Sequence, residues 1–341
     1  MFTIKNEDSL KLKGIPKNYI DCLITDPPYG ISFHGYDWDK QLPPKKIWEN
    51  TLKVLKPGGF GVVFSSIRLM HRIMVDLEDS GFIIKDVLFW ANLNGMPKSR
   101  NVGLNIDTEL GFSSDVVGQY KYVQGYKKEG ATDYYAQKNK NILSPASSLG
   151  KKYNGAGNGI KPSYEPIILV QKPLEKGLNV AQNIIKHGTG ALNLEETRIP
   201  YGEDDKKVGH NPHPKGRVSP NILRTEQFQD SYDKFFMVPK VRQKKEDFNI
   251  HPTIKPIDLM NHLVKLVSFE GQRVLDPFMG SGSTGVSAVS LKRSFYGYEL
   301  EKEYFDIAKK RIELKSVAFI KEGEFSEKDV CEIDTLNIKT L

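Results

Sequence analysis

The chain has 341 residues, 39% of them hydrophobic, which is enough to build one large core with a sizeable insertion. Its two cysteines, Cys22 and Cys331, exclude a disulfide framework and a cysteine-built zinc site and point to a reducing, cytoplasmic compartment. The 49 Lys and Arg against 42 Asp and Glu leave a formal net charge of +7, a modest excess that suits a polyanionic partner, while Met1-Phe2-Thr3-Ile4-Lys5 lacks a signal-peptide pattern and no apolar run is long enough to span a bilayer.

After a lead-in with Gly14 and Pro16, the run Ile20-Asp21-Cys22-Leu23-Ile24 reads as a buried strand. It ends in a stiff polar turn, Thr25-Asp26-Pro27-Pro28-Tyr29-Gly30. The two prolines fix φ, remove two N–H donors and force the preceding residues to be extended. Open α/β sheets bind ligands beyond the carboxyl ends of their strands. An acid, a carbonyl and an aromatic face, rigidly spaced there, suit a planar group that carries an N–H₂. The same four residues, Asp26 to Tyr29, also fit an ordinary turn. The apolar strand before them and a glycine-rich turn far downstream favour the functional reading.

Ile31 to Lys40 is aromatic and polar and reads as a loop rimming that turn, with His34 as a bystander rather than a proton carrier. Trp48, Leu52 and Leu55 recur at helical spacing, and Pro57-Gly58-Gly59 ends that helix. Phe60–Phe64 is the next strand, and Ile67, Met70, Met74 and Leu77 mark a helix face closed by Gly81. Residues 82–90 form another strand. Strand, helix, strand, helix, strand is the signature of a parallel α/β sheet.

The rhythm breaks from about Asn92 to Lys161, where Tyr120, Tyr122, Tyr126, Tyr134 and Tyr135 interleave with Lys121, Lys127, Lys128, Lys138 and Lys140. Phosphates attract cations and unstacked bases attract aromatic faces, so this loop-rich stretch is a candidate DNA grip. Residues 164–170 return to the strand pattern and are expected to rejoin the sheet, antiparallel beside the strand at 82–90. From Lys172 to Asn249 there is little periodicity. His210 and His213 there lack further ligands at metal-binding spacing and are read as surface loop, so no metal is expected.

His251-Pro252-Thr253-Ile254-Lys255-Pro256 precedes a helix faced by Ile257, Met260, Val264 and Val267. Residues 273–276 are a strand end, followed by Pro277, Phe278, Gly280, Gly282 and Gly285, a turn whose backbone can approach a ligand closely at a helix N-terminus. Residues 294–299 form a strand ending in Glu299, an acid suited to ribose hydroxyls. The glycine spacing alone equally fits a nicotinamide-dependent dehydrogenase. Residues 301–315 read as a helix.

Asp26-Pro27-Pro28-Tyr29 resembles the catalytic motif of amino-group DNA methyltransferases, and Asp276-Pro277-Phe278-Met279-Gly280-Ser281-Gly282 resembles their S-adenosylmethionine motif. The catalytic motif precedes the cofactor motif, which is similar to the β-class arrangement. Ser283 stands before Thr284 where many relatives carry Thr. The resemblance implies a Rossmann-like α/β sheet, mostly parallel with one antiparallel strand, helices on both faces and an inserted target-recognition region. It divides the chain into residues 1–94 (catalytic half), 95–248 (target-recognition insertion interrupted by the strand near 164–170), 249–315 (cofactor half) and 316–341 (tail). It further implies Asp26, Pro27, Pro28 and Tyr29 as catalytic residues, and Asp276, Phe278, Gly280, Gly282, Thr284, Glu299, Thr253 and Lys255 as cofactor contacts. Its partners would be DNA and a cognate restriction endonuclease, with monomer and homodimer both open.

The chemistry these residues supply is activation of an amino nitrogen whose lone pair is delocalised into a base. Two acceptors, the Asp26 carboxylate and the Pro27 carbonyl, hold its hydrogens out of the ring plane, and the carboxylate stabilises the developing positive charge. Tyr29 stacks on a base that has left the helix. Neither cysteine is placed to act as a thiolate on a ring carbon. An acid at position 26 favours N6 of adenine, by resemblance. N4 of cytosine is the nearest alternative, and a dehydrogenase or a non-catalytic DNA-binding module are rivals of other classes.

Overall fold

The computed structural model describes residues 1–32, 35–91, 100–126, 134–160, 162–201, 213–224, 248–249, 251 and 254–321. The chain divides into two units, residues 1–93 with 164–341, and residues 94–163.

The first unit is built on a sheet that, among the described residues, has eight strands. In chain order its elements are β1 (Phe2–Lys5), β2 (Cys22–Thr25), α1 (Lys45–Val54), β3 (Phe60–Phe64), α2 (Met70–Asp79) and β4 (Ile83–Ala91). The second unit contributes α3 (Val102–Glu109), β5 (Asp115–Tyr126), β6 (Tyr134–Ser144) and α4 (Ser148–Lys152). The chain then returns with β7 (Tyr164–Gln171), α5 (Val180–His187), β8 (Ile222–Arg224), α6 (Ile257–Val267), β9 (Arg273–Asp276), α7 (Ser283–Ser290), β10 (Ser294–Tyr298) and α8 (Lys302–Lys321).

The spatial order is β1-β10-β9-β2-β3-β7-β4-β8. Every pairing is parallel except those of β7, which runs antiparallel between β3 and β4. From β2 the strands β3, β4 and β8 step outward on one side, with β7 inserted between β3 and β4, and from β9 the chain steps to β10 on the other side, with β1 beyond it. The order therefore reverses between these two neighbours, and ligands of doubly wound sheets bind at such a reversal.

The strands explain the layers. Residues two apart share a face, and along β2 Cys22 and Ile24 join one core cluster while Leu23 joins the other. Val62 and Val63, Ile167 and Ile168, and Val274 and Leu275 divide in the same way. The first cluster packs under α6, α7 and α8 through Leu263, Ala288 and Ile312, and the second under α1 and α2 through Trp48 and Leu77. Helices thus cover both faces. No described helix is long and apolar enough to cross a membrane.

Strands expected near 20–24, 60–64, 82–90, 164–170, 273–276 and 294–299 are all present. The sheet also contains β1 and β8, four and three residues long, which the sequence reading leaves as lead-in and irregular chain. Both are edge strands too short to show a period. Ile67, assigned to a helix face, is 40% exposed, because α2 begins only at Met70.

The second unit is more regular than a loop-rich insertion. Strands β5 and β6 form an antiparallel ladder from Asp115↔Ser144 to Tyr126↔Tyr134. Asp107 of α3 is buried and accepts hydrogen bonds from Ser147 Oγ (2.5 Å) and from the N–H groups of Ala146 (2.5 Å) and Ser147 (3.2 Å). These bonds and the Ser147 cap on Gly150 N hold the Ser147–Gly150 turn against α3 and depress the Asp107 carboxyl below the usual range. Tyr120, 46% exposed, lies opposite Lys140, while Lys127 and Lys128 of the proposed grip lie outside the described residues.

Candidate active site

Strand β2 ends at Thr25, so Asp26-Pro27-Pro28-Tyr29-Gly30 emerges at the carboxyl edge of the sheet. The turn is pinned from outside. Asp39, 2% exposed, accepts from the N–H groups of Tyr29 (2.5 Å) and Gly30 (3.1 Å) through one oxygen, Oδ1. The prolines supply no donor, and the two N–H groups that follow share that one acceptor. Gly30 takes φ +68°, the left-handed conformation that lets the chain leave the turn.

Asp26 is the hub of a charged cluster. Its Oδ1 accepts from the Tyr29 hydroxyl at 2.7 Å and its Oδ2 from Lys255 Nζ at 2.6 Å. A second carboxylate, Glu165 at the start of β7, lies 3.3 Å from the Tyr29 hydroxyl and 3.6 Å from Lys255 Nζ. The ammonium also sits 4.9 Å from the centroid of the Phe64 ring and 5.6 Å from that of Tyr29. Burial alone would lower the Lys255 pKa, but the Asp26 and Glu165 carboxylates outweigh it, so the group is held above its ordinary value. Burial, reinforced by the same two carboxylates, pushes the Tyr29 phenol well above its usual range. The cluster therefore contains an ammonium and a neutral phenol, both donating.

The adjacent strand β9 ends at Asp276, 2% exposed, whose oxygens are spent inside the protein. Oδ1 accepts from Thr25 Oγ1 (2.7 Å) and Phe278 N (3.1 Å), and Oδ2 accepts from Thr284 Oγ1 (2.6 Å). Burial pushes this carboxyl up to about 7 against those hydrogen bonds. The turn that follows is left-handed twice, with φ +52° at Gly280 and +81° at Gly282. A Cβ on Gly280 would lie 3.1 Å from His251 Nε2, and one on Gly282 would lie 3.0 Å from Ala308 Cβ. Arg311 of α8 donates to Ser281 O (2.6 Å) and to the Ser283 hydroxyl (3.2 Å), tying the turn to the start of α7.

Glu299, just past β10, overlies the same turn. Its Oε2 accepts from Gly280 N at 2.9 Å and its Oε1 from Glu301 N at 2.8 Å. Burial raises its pKa. Beside it the His251 and Tyr304 rings meet edge to face with centroids 4.4 Å apart. Phe278 is partly buried and lies 6.4 Å, centroid to centroid, from Trp48.

The sequence-assigned residues therefore fall into two adjoining groups. Asp26, Pro27, Pro28 and Tyr29 stand at the end of β2, and Asp276, Phe278, Gly280, Gly282, Thr284 and Glu299 at the ends of β9 and β10. Lys255, assigned to the cofactor by resemblance, donates to the Asp26 carboxylate, while Asp276 and Thr284 bond to each other. Thr253, His34 and His210 lie outside the described residues. His213 sits 3.7 Å from Glu195, and its Nδ1 accepts from Lys215 N. Sequence reasoning missed Asp39 and Glu165. A loop acid carries no local signal, but Glu165 carries one: an antiparallel strand starts at the edge where parallel strands end.

The family model described as DNA methylase matches residues 20–310 of this chain. The type II methyltransferase M.HindIII of Haemophilus influenzae is 27% identical, with 91% of this chain and 94% of that protein covered. The type II methyltransferase M.BglII of Bacillus subtilis is 47% identical over 89% of this chain and 67% of its own length. Among solved structures, the PvuII DNA methyltransferase, described as cytosine-N4-specific, aligns with a TM-score of 0.50 at 15% identity, covering 91% of this chain and 86% of its own. At that identity the likeness is one of fold. The methylase match takes up the glycine turn that a dehydrogenase would also have used.

Proposed function

We propose that this chain, which belongs to the DNA methylase family, transfers a methyl group from S-adenosylmethionine to the N6 amino group of adenine in DNA. The observation that carries the reading is the meeting of the two motifs. The carboxylate of Asp26 follows β2, the glycine turn follows β9, and these strands are hydrogen-bonded neighbours at the reversal of the sheet.

The residues fit the cofactor. Gly280 and Gly282 take left-handed φ in a turn packed closely on His251 and Ala308, and the partly buried Glu299 turns its Oε2 to Gly280 N in that turn. The start of α7 offers N–H groups suited to an amino-acid carboxylate. When bound, S-adenosylmethionine supplies an electrophilic methyl group on a sulfonium sulfur. Glu299 would accept from its ribose hydroxyls, and Phe278 would line the turn.

Asp26 accepts one hydrogen of the target amino group and the Pro27 carbonyl the other, which localises the nitrogen lone pair. The Asp26 carboxylate stabilises the charge that grows on that nitrogen. Tyr29 offers its ring to the base, and before the base arrives its hydroxyl donates to Asp26 Oδ1. The base must leave the duplex to reach these groups. Adenine is chosen because position 26 is an acid rather than the serine commoner among cytosine-specific relatives. DNA is the macromolecular substrate, and a restriction endonuclease of matching specificity is the functional counterpart, in keeping with the type II names of the relatives.

One experiment tests this. The protein is incubated with methyl-labelled S-adenosylmethionine and unmodified DNA, and the nucleosides are separated by mass spectrometry. Label in N6-methyl-2′-deoxyadenosine supports the reading. Label in N4-methyl-2′-deoxycytidine overturns the choice of base, and unlabelled DNA overturns the activity.

A further inference from the structure

We propose that Glu165 is a positioning residue for the reaction assigned above: it is the acceptor to which Lys255 and Tyr29 shift when Asp26 takes hold of the target amino group. The inference rests on that assignment of Asp26.

As the cluster stands, each oxygen of Asp26 is engaged by a donor, Tyr29 OH on Oδ1 at 2.7 Å and Lys255 Nζ on Oδ2 at 2.6 Å. A carboxylate has lone pairs to spare, so the difficulty is one of charge. A full ammonium on Oδ2 neutralises the field that must stabilise a nitrogen becoming positive, and it repels that nitrogen directly. For Asp26 to act, the ammonium has to yield.

Lys255 cannot yield into water. Its side chain is 10% exposed, and the Phe64 and Tyr29 rings flank the ammonium. A buried cation without a partner is costly. The structure supplies the partner, because Glu165 Oε2 already lies 3.6 Å from Lys255 Nζ. The Tyr29 hydroxyl likewise has Glu165 Oε2 at 3.3 Å as its second acceptor. Both donors of Asp26 thus share one alternative acceptor, a single oxygen already 3.3 and 3.6 Å from them. The Glu165 backbone is held in place, since it pairs with Trp90 of β4 and precedes Pro166, beyond which β7 is paired on both sides.

The test uses the full chain with labelled S-adenosylmethionine and DNA, reading kcat, KM for DNA and, by calorimetry, the cofactor Kd. Wild-type protein that does not label DNA removes the functional reading itself, and the variants are compared only against an active parent. Glu165→Gln leaves the ammonium with Asp26 as its sole carboxylate. It is expected to lower kcat by about tenfold, the equivalent of 1.4 kcal/mol, with cofactor Kd within about twofold of wild type. Adding Lys255→Met removes the competing ammonium, so the double variant is expected to recover most of the lost kcat. Glu165→Asp, one methylene shorter, should fall between wild type and Glu165→Gln and serves in its place if the amide variant does not fold. Wild-type kcat in Glu165→Gln overturns the proposal. So does a double variant no faster than the single one, the result expected of a purely structural ion pair.

Discussion

Thr25, the last residue of β2, donates a 2.7 Å hydrogen bond to Oδ1 of Asp276, the last residue of β9. Both side chains are buried. The bond ties the corner that carries Asp26 to the turn that carries Gly280, so the two halves of the site share one anchor. Thr25→Val keeps the shape and deletes the donor beside a buried acid. We expect a loss of about 1–3 kcal/mol in urea unfolding, and a change below about half a kcal/mol would deny the anchor its importance.

Asp276 makes stability depend on pH. Its carboxyl titrates near 7 when folded and at its ordinary value of 3.8 when unfolded. Between these values the folded chain holds the extra proton, so stability falls as pH rises. The contribution is complete below about pH 4 and gone above about pH 7, with a span of order a few kcal/mol. Taken as wild type minus Asp276→Asn, so that the opposing shift of buried His262 cancels, the melting temperature should therefore decline from pH 5 to 8, and the variant should be less stable at the acid end, because its amide cannot accept from both threonines. An identical slope in the variant would contradict this.

Asp26→Ala should reduce methyl transfer by at least about a hundredfold, the scale of losing a dominant electrostatic group. The carboxylate does not touch the glycine turn in the described contacts, so calorimetric cofactor affinity should remain close to wild type. Equal loss of both would remove Asp26 from its assigned part.

Glu299→Ala should act in the opposite way, weakening cofactor binding by roughly ten- to a hundredfold through lost charge-assisted hydrogen bonds. Burial raises the pKa of Glu299, and ribose donors need its ionised form. Affinity should therefore decline as pH is lowered, earlier than an ordinary glutamate would impose. Titrations at several pH values read this directly.

Gly282→Ala adds a Cβ 3.0 Å from that of Ala308 at a residue with φ +81°. Both effects oppose folding, and a cost of about 1–3 kcal/mol is expected in thermal or urea unfolding.

The legible part of this protein is the part whose chemistry is local. The apolar runs of β2, β3 and β7 are buried on both faces, and their Ile, Val and Leu content marks them as strands without reference to the rest of the chain. Asp26-Pro27-Pro28-Tyr29 and the glycine turn declare themselves by stiffness in one and by the lack of side chains in the other. Strands β5 and β6 are not legible because, over residues 115–121 and 139–144, Val116, Val117, Ile142 and Leu143 are exposed together with their polar neighbours, so no burial alternation marks them. Helix α5 was marked by a capping box at Asn179 and Gln182 and by Gly188 in the left-handed conformation, signals obscured by its exposed apolar residues Ile184 and Ile185. The contact of Lys255 with Asp26 spans 229 positions, and nothing near either residue announces it.

The antiparallel course of β7 has a consequence for how this chain can diversify. Because Ala91 at the end of β4 pairs with Tyr164 at the start of β7, residues 92–163 leave and rejoin the sheet at adjoining points of one rim. Any segment whose two ends lie a strand's width apart can be spliced into that socket while the rest of the sheet keeps its register. Evolution by cassette replacement, in which the chemistry is inherited and the intervening segment is exchanged, requires no more of the architecture than this.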